Sequence, residues 1–228
     1  MILNIETSAK ICSVALCENM ETVYSLQSEG EMEHSTKLAP YVEQCMNYLR
    51  MRERELDAVA VSIGPGSYTG LRIGLSTAKG LCFSLSKPLI GINTLEILAV
   101  KALFKSMEWE GNELYVPMVD ARRMEVYTAI YDAALNPLIE PQAMILEPDS
   151  FDGFKNRKLI FIGDAVEKAK TAIDHKDAKW IPTYPLATDM NALAEKALRE
   201  GKFLDLAYST PFYIKNFQAT TPKNKVLG

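Results

Sequence analysis

Gly64-Pro65-Gly66-Ser67-Tyr68-Thr69-Gly70-Leu71-Arg72-Ile73-Gly74-Leu75-Ser76-Thr77-Ala78-Lys79-Gly80 is the stretch on which the reading of the fold turns. The apolar run Ala58–Ile63 leads into it as a buried strand. Gly64-Pro65-Gly66-Ser67 breaks that strand with turn residues. Beyond the turn, Leu71, Leu75, Ala78 and Cys82 recur at helical spacing, with Ser67 or Thr69 as the cap. Glycine within a helix costs about 1 kcal/mol relative to alanine, so Gly70 and Gly74 imply close approach of another backbone. Gly70, Gly74, Thr77, Ala78 and Leu81 share one small-residue face, and Arg72, Ser76, Lys79 and Phe83 form a narrow strip opposite. So apolar a helix must be covered on most sides. Half of that surface is expected to be buried within the fold and the rest against a partner, so Gly74→Leu is expected to abolish pairing and leave the chain folded.

The same stretch fails as a phosphate loop. Gly64, Gly66 and Gly70 place one residue too many before the last glycine for G-x-G-x-x-G, and Gly70 is followed by Leu71-Arg72 where a P-loop has Lys-Ser/Thr. The stretch is therefore scaffold. Working outward, 228 residues suit one large or two modest domains, and 48% hydrophobic with 24% charged residues is ordinary for a globular chain. A net charge of −4 argues against a broad grip on nucleic acid by the chain alone. No run reaches the roughly 18 apolar residues of a membrane helix. The start, Met1-Ile2-Leu3-Asn4-Ile5-Glu6, lacks the basic opening of a signal peptide. Cys12, Cys17, Cys45 and Cys82 lie in apolar segments without a C-x-x-C pair, which fits a reducing, cytoplasmic setting and gives no support to a zinc site.

In order, Ile2–Ile5 and Ile11–Leu16 read as a hairpin with a Thr/Ser tip, and Thr22–Gln27 as a third strand. An amphipathic helix follows His34-Ser35-Thr36, carrying Leu38, Tyr41, Val42, Cys45, Met46 and Leu49. After the Asp57–Ile63 strand and the glycine-rich helix come a strand at Pro88–Ile92 and a helix capped by Thr94. The order βββαβαβα is a mixed α/β domain. The polar stretch Ser106–Glu113 is the expected boundary, dividing the chain into lobes 1–106 and 107–228. The second half repeats the first in outline. Strands are expected at Leu114–Val119, Glu125–Tyr131, Gln142–Leu146 and Leu159–Asp164, and helices from near Ala165 and at Asn191–Arg199, the last helix and tail returning to the first lobe. The tail through Lys215 to Lys225 is aromatic and then basic, and is read as a flexible end or as an arm that docks on a partner or on tRNA.

Taken together, Ile5-Glu6-Thr7-Ser8, His34-Ser35, the stretch from Gly64 to Gly74, Val119-Asp120-Ala121-Arg122 and Pro211-x-Tyr213 resemble the TsaB (YeaZ) family, over nearly the whole chain. The resemblance implies an ASKHA fold, two RNase H-like lobes each with a mixed sheet flanked by helices. It implies a role in making threonylcarbamoyladenosine (t6A) at position 37 of tRNA, as a non-catalytic subunit with no cofactor. The implied partners are a TsaD-like transferase and a TsaE-like ATPase, with tRNA reached through the complex and a homodimer formed when the chain is alone. The implied interface is the first lobe, through Ser35, Leu38, Tyr41, Val42, Gly66, Ser67, Tyr68, Thr69, Gly70, Arg72, Ile73, Gly74, Thr77 and Ala78. TsaD-like proteins hold a metal through H-x-x-x-H. Here the two histidines, His34 and His175, are far apart, so no metal site is expected.

Glu6 and Asp120 are expected at strand ends facing an interlobe cleft, with Thr7, Ser8 and Arg122 beside them as a vestigial site. Each carboxylate is read as a cap or an ion-pair partner, Asp120 with Arg122 or Arg123. Arg72 and Lys79 are expected to meet carboxylates of a partner. No catalytic residue is assigned. The alternative is an ATP-dependent ASKHA enzyme or a glycoprotease-like hydrolase acting alone, for which no phosphate loop, triad or metal ligand set is present.

Overall fold

A computed structural model describes residues 1–28, 30, 33–105 and 111–215. The expected boundary at 106 and the basic end of the tail fall outside the described residues. The first half forms β1 (Ile2–Glu6), β2 (Ser13–Glu18), β3 (Glu21–Gln27), α1 (His34–Met51), β4 (Ala58–Gly64), α2 (Tyr68–Leu85), β5 (Leu89–Asn93) and α3 (Thr94–Lys105). The second forms β6 (Glu113–Asp120), β7 (Glu125–Tyr131), β8 (Pro137–Ile145), β9 (Lys158–Gly163), α4 (Val166–Ala172), β10 (Ala178–Pro182) and α5 (Asn191–Glu200).

Each half builds a five-stranded sheet, in the orders β3-β2-β1-β4-β5 and β8-β7-β6-β9-β10. In both, the first three strands are antiparallel and the last two join the first in parallel. The two orders are the same when each is counted from its own first strand. The expected duplication is thus a repeat of topology, and the architecture is the two-lobed α/β ASKHA type.

Strand period explains how each sheet is covered. On β1 and β4, Leu3, Ile5, Val59 and Val61 point to one face, where α1 and α2 supply Leu38, Val42, Cys45, Leu49, Leu75, Ala78 and Cys82. Ile2, Ala58 and Ala60 alternate to the other face and meet Ile97 of α3 with Met190 and Ala194 near and within α5. Because both faces are covered, β1 is buried along its whole length. The second sheet sets Leu114, Val116, Met118 and Phe161 towards α4 and Tyr115, Val119, Ile160 and Ile162 towards α3. Helix α3 therefore carries core contacts of both sheets. Its one buried cation, Lys101, donates to the Tyr184 carbonyl at 2.7 Å and to Asp189 Oδ2 at 2.8 Å, and so ties the segment ahead of α5 back to it.

Two departures from the sequence reading have local causes. Strand β10, Ala178-Lys179-Trp180-Ile181-Pro182, was not expected; its alternation is short and ends in proline, and it forms only as the parallel edge beside β9. Strand β8 begins five residues before the expected Gln142. Pro137 and Pro141 mask it in sequence, yet β8 is an outer strand of its sheet, where proline is tolerated.

Candidate functional site

Helix α2 starts at a sharp turn after β4. The Ser67 hydroxyl caps it, accepting from Gly70 N at 3.2 Å, so Ser67 and not Thr69 is the cap. Directly beneath lies the tip of the β1–β2 hairpin. Ser67 N donates to the Ser8 carbonyl at 2.7 Å, and Thr7 Oγ1 donates to the Gly70 carbonyl at 2.8 Å. A Cβ placed on Gly66 would stand 2.2 Å from the Ser8 carbonyl oxygen, on Gly70 2.1 Å from that of Thr7, and on Gly74 2.2 Å from Thr7 Oγ1. The glycine face is therefore a seat for the chain's own hairpin.

That geometry sorts the expected interface residues. Leu38, Val42, Gly70, Gly74 and Ala78 are buried within the chain's own core and present nothing outward, so the expectation that Gly74→Leu leaves the chain folded is overturned. Tyr41, Gly66, Ser67, Ile73 and Thr77 are half-buried, and Ser35, Tyr68, Thr69 and Arg72 are exposed. The open face of α2 continues through Ser76 and Gly80 to Phe83, which is 79% exposed. A Cβ on Gly80 would meet nothing within 4 Å.

The charged strip is used within the chain. Lys79 Nζ donates to the carbonyls of Ala207 (3.2 Å) and Ser209 (2.7 Å). Arg72 Nη1 donates to the Tyr68 hydroxyl at 2.8 Å, and the Tyr68 ring stacks on Tyr213 with centroids 5.2 Å apart. With Leu204 N on the Leu89 carbonyl and Phe212 N on that of Ile63, residues 204–213 form a strap along the first lobe. The described part of the tail thus docks on its own lobe.

Among the expected cleft residues, Thr7 and Ser8 are buried beneath the start of α2, whereas the buried Glu6 lies on the other face of the first sheet, the face of Asn4 and Ser62 that meets residues 187–191. Glu6 Oε1 accepts from Ser8 N at 2.6 Å, and Oε2 has no partner among the described residues. Burial pushes the Glu6 carboxyl up to about 7, against the opposing pull of the Ser8 and Ser62 groups, with a smaller upward push from the Asp189 charge. Asp120 belongs to a separate cluster at the end of β6. It pairs with Lys168, which also donates to the carbonyls of Arg123 (2.8 Å) and Glu125 (2.6 Å). The guanidinium partner expected for Asp120 is thus replaced by Lys168, and Arg122 contributes only its backbone N–H, 3.2 Å from Asp120 Oδ1. Asp164 accepts from Asp120 N at 2.9 Å, and burial raises its carboxyl. Sequence reasoning missed Lys168 because its partner lies across a strand pair, 48 positions away.

His34 is the buried first residue of α1. Burial lowers its imidazole, and a hydrogen bond with the Ala9 backbone opposes that. His175 lies 3.4 Å from the Phe154 carbonyl and edge-on to Phe161. Among the described residues no three His, Cys, Asp or Glu side chains group as a metal site would require. Nor is any helix of those residues long and apolar enough to cross a membrane.

Comparison with known proteins agrees with this fold. Residues 28–223 match the family model for TsaD, tRNA N6-adenosine threonylcarbamoyltransferase. The chain is 33% identical over 196 residues to the tRNA threonylcarbamoyladenosine biosynthesis protein TsaB of Buchnera aphidicola subsp. Schizaphis graminum, spanning 83% of this chain and 90% of that one. It is 32% identical over 178 residues to TsaB of Bacillus subtilis, spanning 76% and 75%. A crystal structure from Pseudomonas aeruginosa, described as similar to peptidase YEAZ, superposes with a TM-score of 0.79 at 25% identity, covering 94% of this chain and 99% of that one.

Proposed function

This chain belongs to the TsaB (YeaZ) family, within the broader family of the matched threonylcarbamoyltransferase model, and from that premise we propose that it takes part in threonylcarbamoyladenosine synthesis in tRNA as a non-catalytic subunit. One observation carries the non-catalytic reading: the hairpin tip Thr7-Ser8 is sealed beneath the glycines of α2. The Thr7 and Ser8 amides are already donated to Ser62 Oγ and Glu6 Oε1 and offer nothing to a phosphate, and only the Lys10 end of the tip is exposed. The pairing of Asp120 with Lys168 supports the same reading, since that carboxylate's charge is already balanced.

Its partner is a TsaD-type transferase subunit, met through the outer face of α1 and α2, with a TsaE-type ATPase joining the pair. In the absence of that partner the same face pairs with a second copy. The usable surface is Ser35, Thr69, Ile73, Thr77 and their outward neighbours Ser76, Gly80 and Phe83, and the glycine seat beneath stiffens it without touching the partner. Gly80 supports this reading, because nothing in its own fold excludes a side chain there and its lack keeps the face flat.

Gly80→Arg should therefore separate the two uses of the helix. Replacing glycine in a helix interior stabilises the chain by about 0.5–1 kcal/mol. Co-elution with the transferase subunit, by contrast, should be lost. A folded Gly80→Arg chain that still co-elutes with wild-type affinity would overturn the assignment of the face.

A further inference from the structure

At the edge of the second lobe furthest from Asp120, three parallel strands begin side by side. Register pairs Glu113 with Lys158 and Ala178 with Leu159, so the entries to β6, β9 and β10 form one rim. The rim borders an open surface depression of about 430 Å³, lined by Asn112, Arg157, Lys158, Lys176, Asp177 and Lys179 among others. Four cations thus face one carboxylate, in a chain whose net charge is −4. At the opposite end β6 finishes at Asp120 and β9 is followed by Asp164, where Lys168 already offsets the acidic charge.

Part of this rim is built, and part is left open. The Asn112 carbonyl accepts from Arg157 Nε at 3.1 Å, and Asn112 Nδ2 donates to the Asn156 carbonyl at 3.4 Å, which orients the guanidinium. Lys158 lies 3.8 Å from the buried carboxylate of Glu113. Lys176 and Lys179 are exposed, and neither has a carboxylate within ion-pair distance among the described residues. Of the lining residues only Ala178 is apolar, whereas pockets for small metabolites are mostly apolar with a few polar groups. Lysine is also depleted from the cores of protein–protein interfaces. An acidic chain repels a polyanion at a distance, so holding one requires a local concentration of positive charge such as this rim.

We propose that the depression seats the phosphodiester backbone of RNA. This inference rests on the proposed role in tRNA modification, and gives the chain its own contact with the substrate, on the second lobe and apart from the α1–α2 face. The contact is electrostatic and indifferent to sequence, since mobile ammonium groups hold phosphates as point charges.

The test is equilibrium binding of an unmodified tRNA transcript to the full chain, followed by fluorescence anisotropy at two salt concentrations. Lys176→Glu/Lys179→Glu is compared with Lys196→Glu/Arg199→Glu, the same charge change on exposed positions of α5. The rim variant should bind about tenfold more weakly at low salt, with a log–log salt dependence shallower by roughly 1 to 2, as expected for the loss of about two phosphate contacts. The α5 variant should bind as the wild type does. Equal affinity in the rim variant, or no binding by the wild type, overturns the inference. Inorganic pyrophosphate bound more tightly than the transcript would assign the depression to a free phosphate compound and overturn it as well. Because the readout is binding, failure here is separate from failure of the functional reading, which is measured by product formation.

Discussion

Gly70→Ala should destabilise the chain by about 2 kcal/mol, against the usual preference for alanine in a helix. The helix propensity favours the variant by about 1 kcal/mol. Opposing it, the new Cβ would stand 2.1 Å from the Thr7 carbonyl oxygen, a backbone atom of the residue directly after β1. Overpacking of this kind costs about 1–3 kcal/mol and sometimes more, and an immobile neighbour places it at the upper end. Gly74→Ala meets a different obstacle, the Thr7 side-chain oxygen at 2.2 Å. Thr7→Ala removes that atom, so it should restore part of the stability lost in Gly74→Ala and none of that lost in Gly70→Ala. Urea midpoints of the single and double variants, read at constant m-value, measure this. Equal rescue in both backgrounds would contradict the seating of the hairpin. Gly74→Leu must fail for the same steric reason, and its loss of pairing would report unfolding.

The second large effect follows from Glu6. Its carboxyl titrates near 7 in the folded chain because burial disfavours the charged form, against a reference value of 4.5. A carboxyl raised in the native state stabilises it fully below the unfolded value and loses that contribution as pH rises from 4.5 through 7. The gap corresponds to about 3 kcal/mol. Glu6→Gln keeps an acceptor for the Ser8 amide and does not titrate. It should therefore gain on the wild type by about 3 kcal/mol between pH 4.5 and 8, a difference in which all other groups cancel. Urea unfolding at pH 5 and pH 8 suffices to measure it. Parallel pH profiles for the two proteins would show that Glu6 does not hold its proton in the folded chain.

Much of the fold was legible because it rests on local pattern. The order βββαβαβα, the Ser67 turn and the helical spacing of Leu71, Leu75, Ala78 and Cys82 all depend on residues close in sequence. What the sequence could not show was which neighbour used each face. Gly70 and Gly74 announced a close approach, but Thr7 lies more than sixty positions earlier and nothing local names it. Lys79 looked like a cation waiting for a partner, yet its acceptors are carbonyls of the strap, which carry no side-chain signature. Strand β10 and the basic rim were missed for a related reason. Lys158, Lys176 and Lys179 are separated by a helix and a turn, and only the parallel register of β9 and β10 brings them together.

The central claim, that this chain enables threonylcarbamoyl transfer without performing it, is met most directly by reconstituted synthesis on unmodified tRNA. The reaction would contain the TsaD-type transferase, the TsaE-type ATPase and the enzyme that forms threonylcarbamoyl-adenylate, all from the same source, with and without this chain. Modified nucleoside should form only when the chain is present, and the chain alone should form none. Equal product without the chain, or product from the chain in the absence of the transferase, would contradict the account.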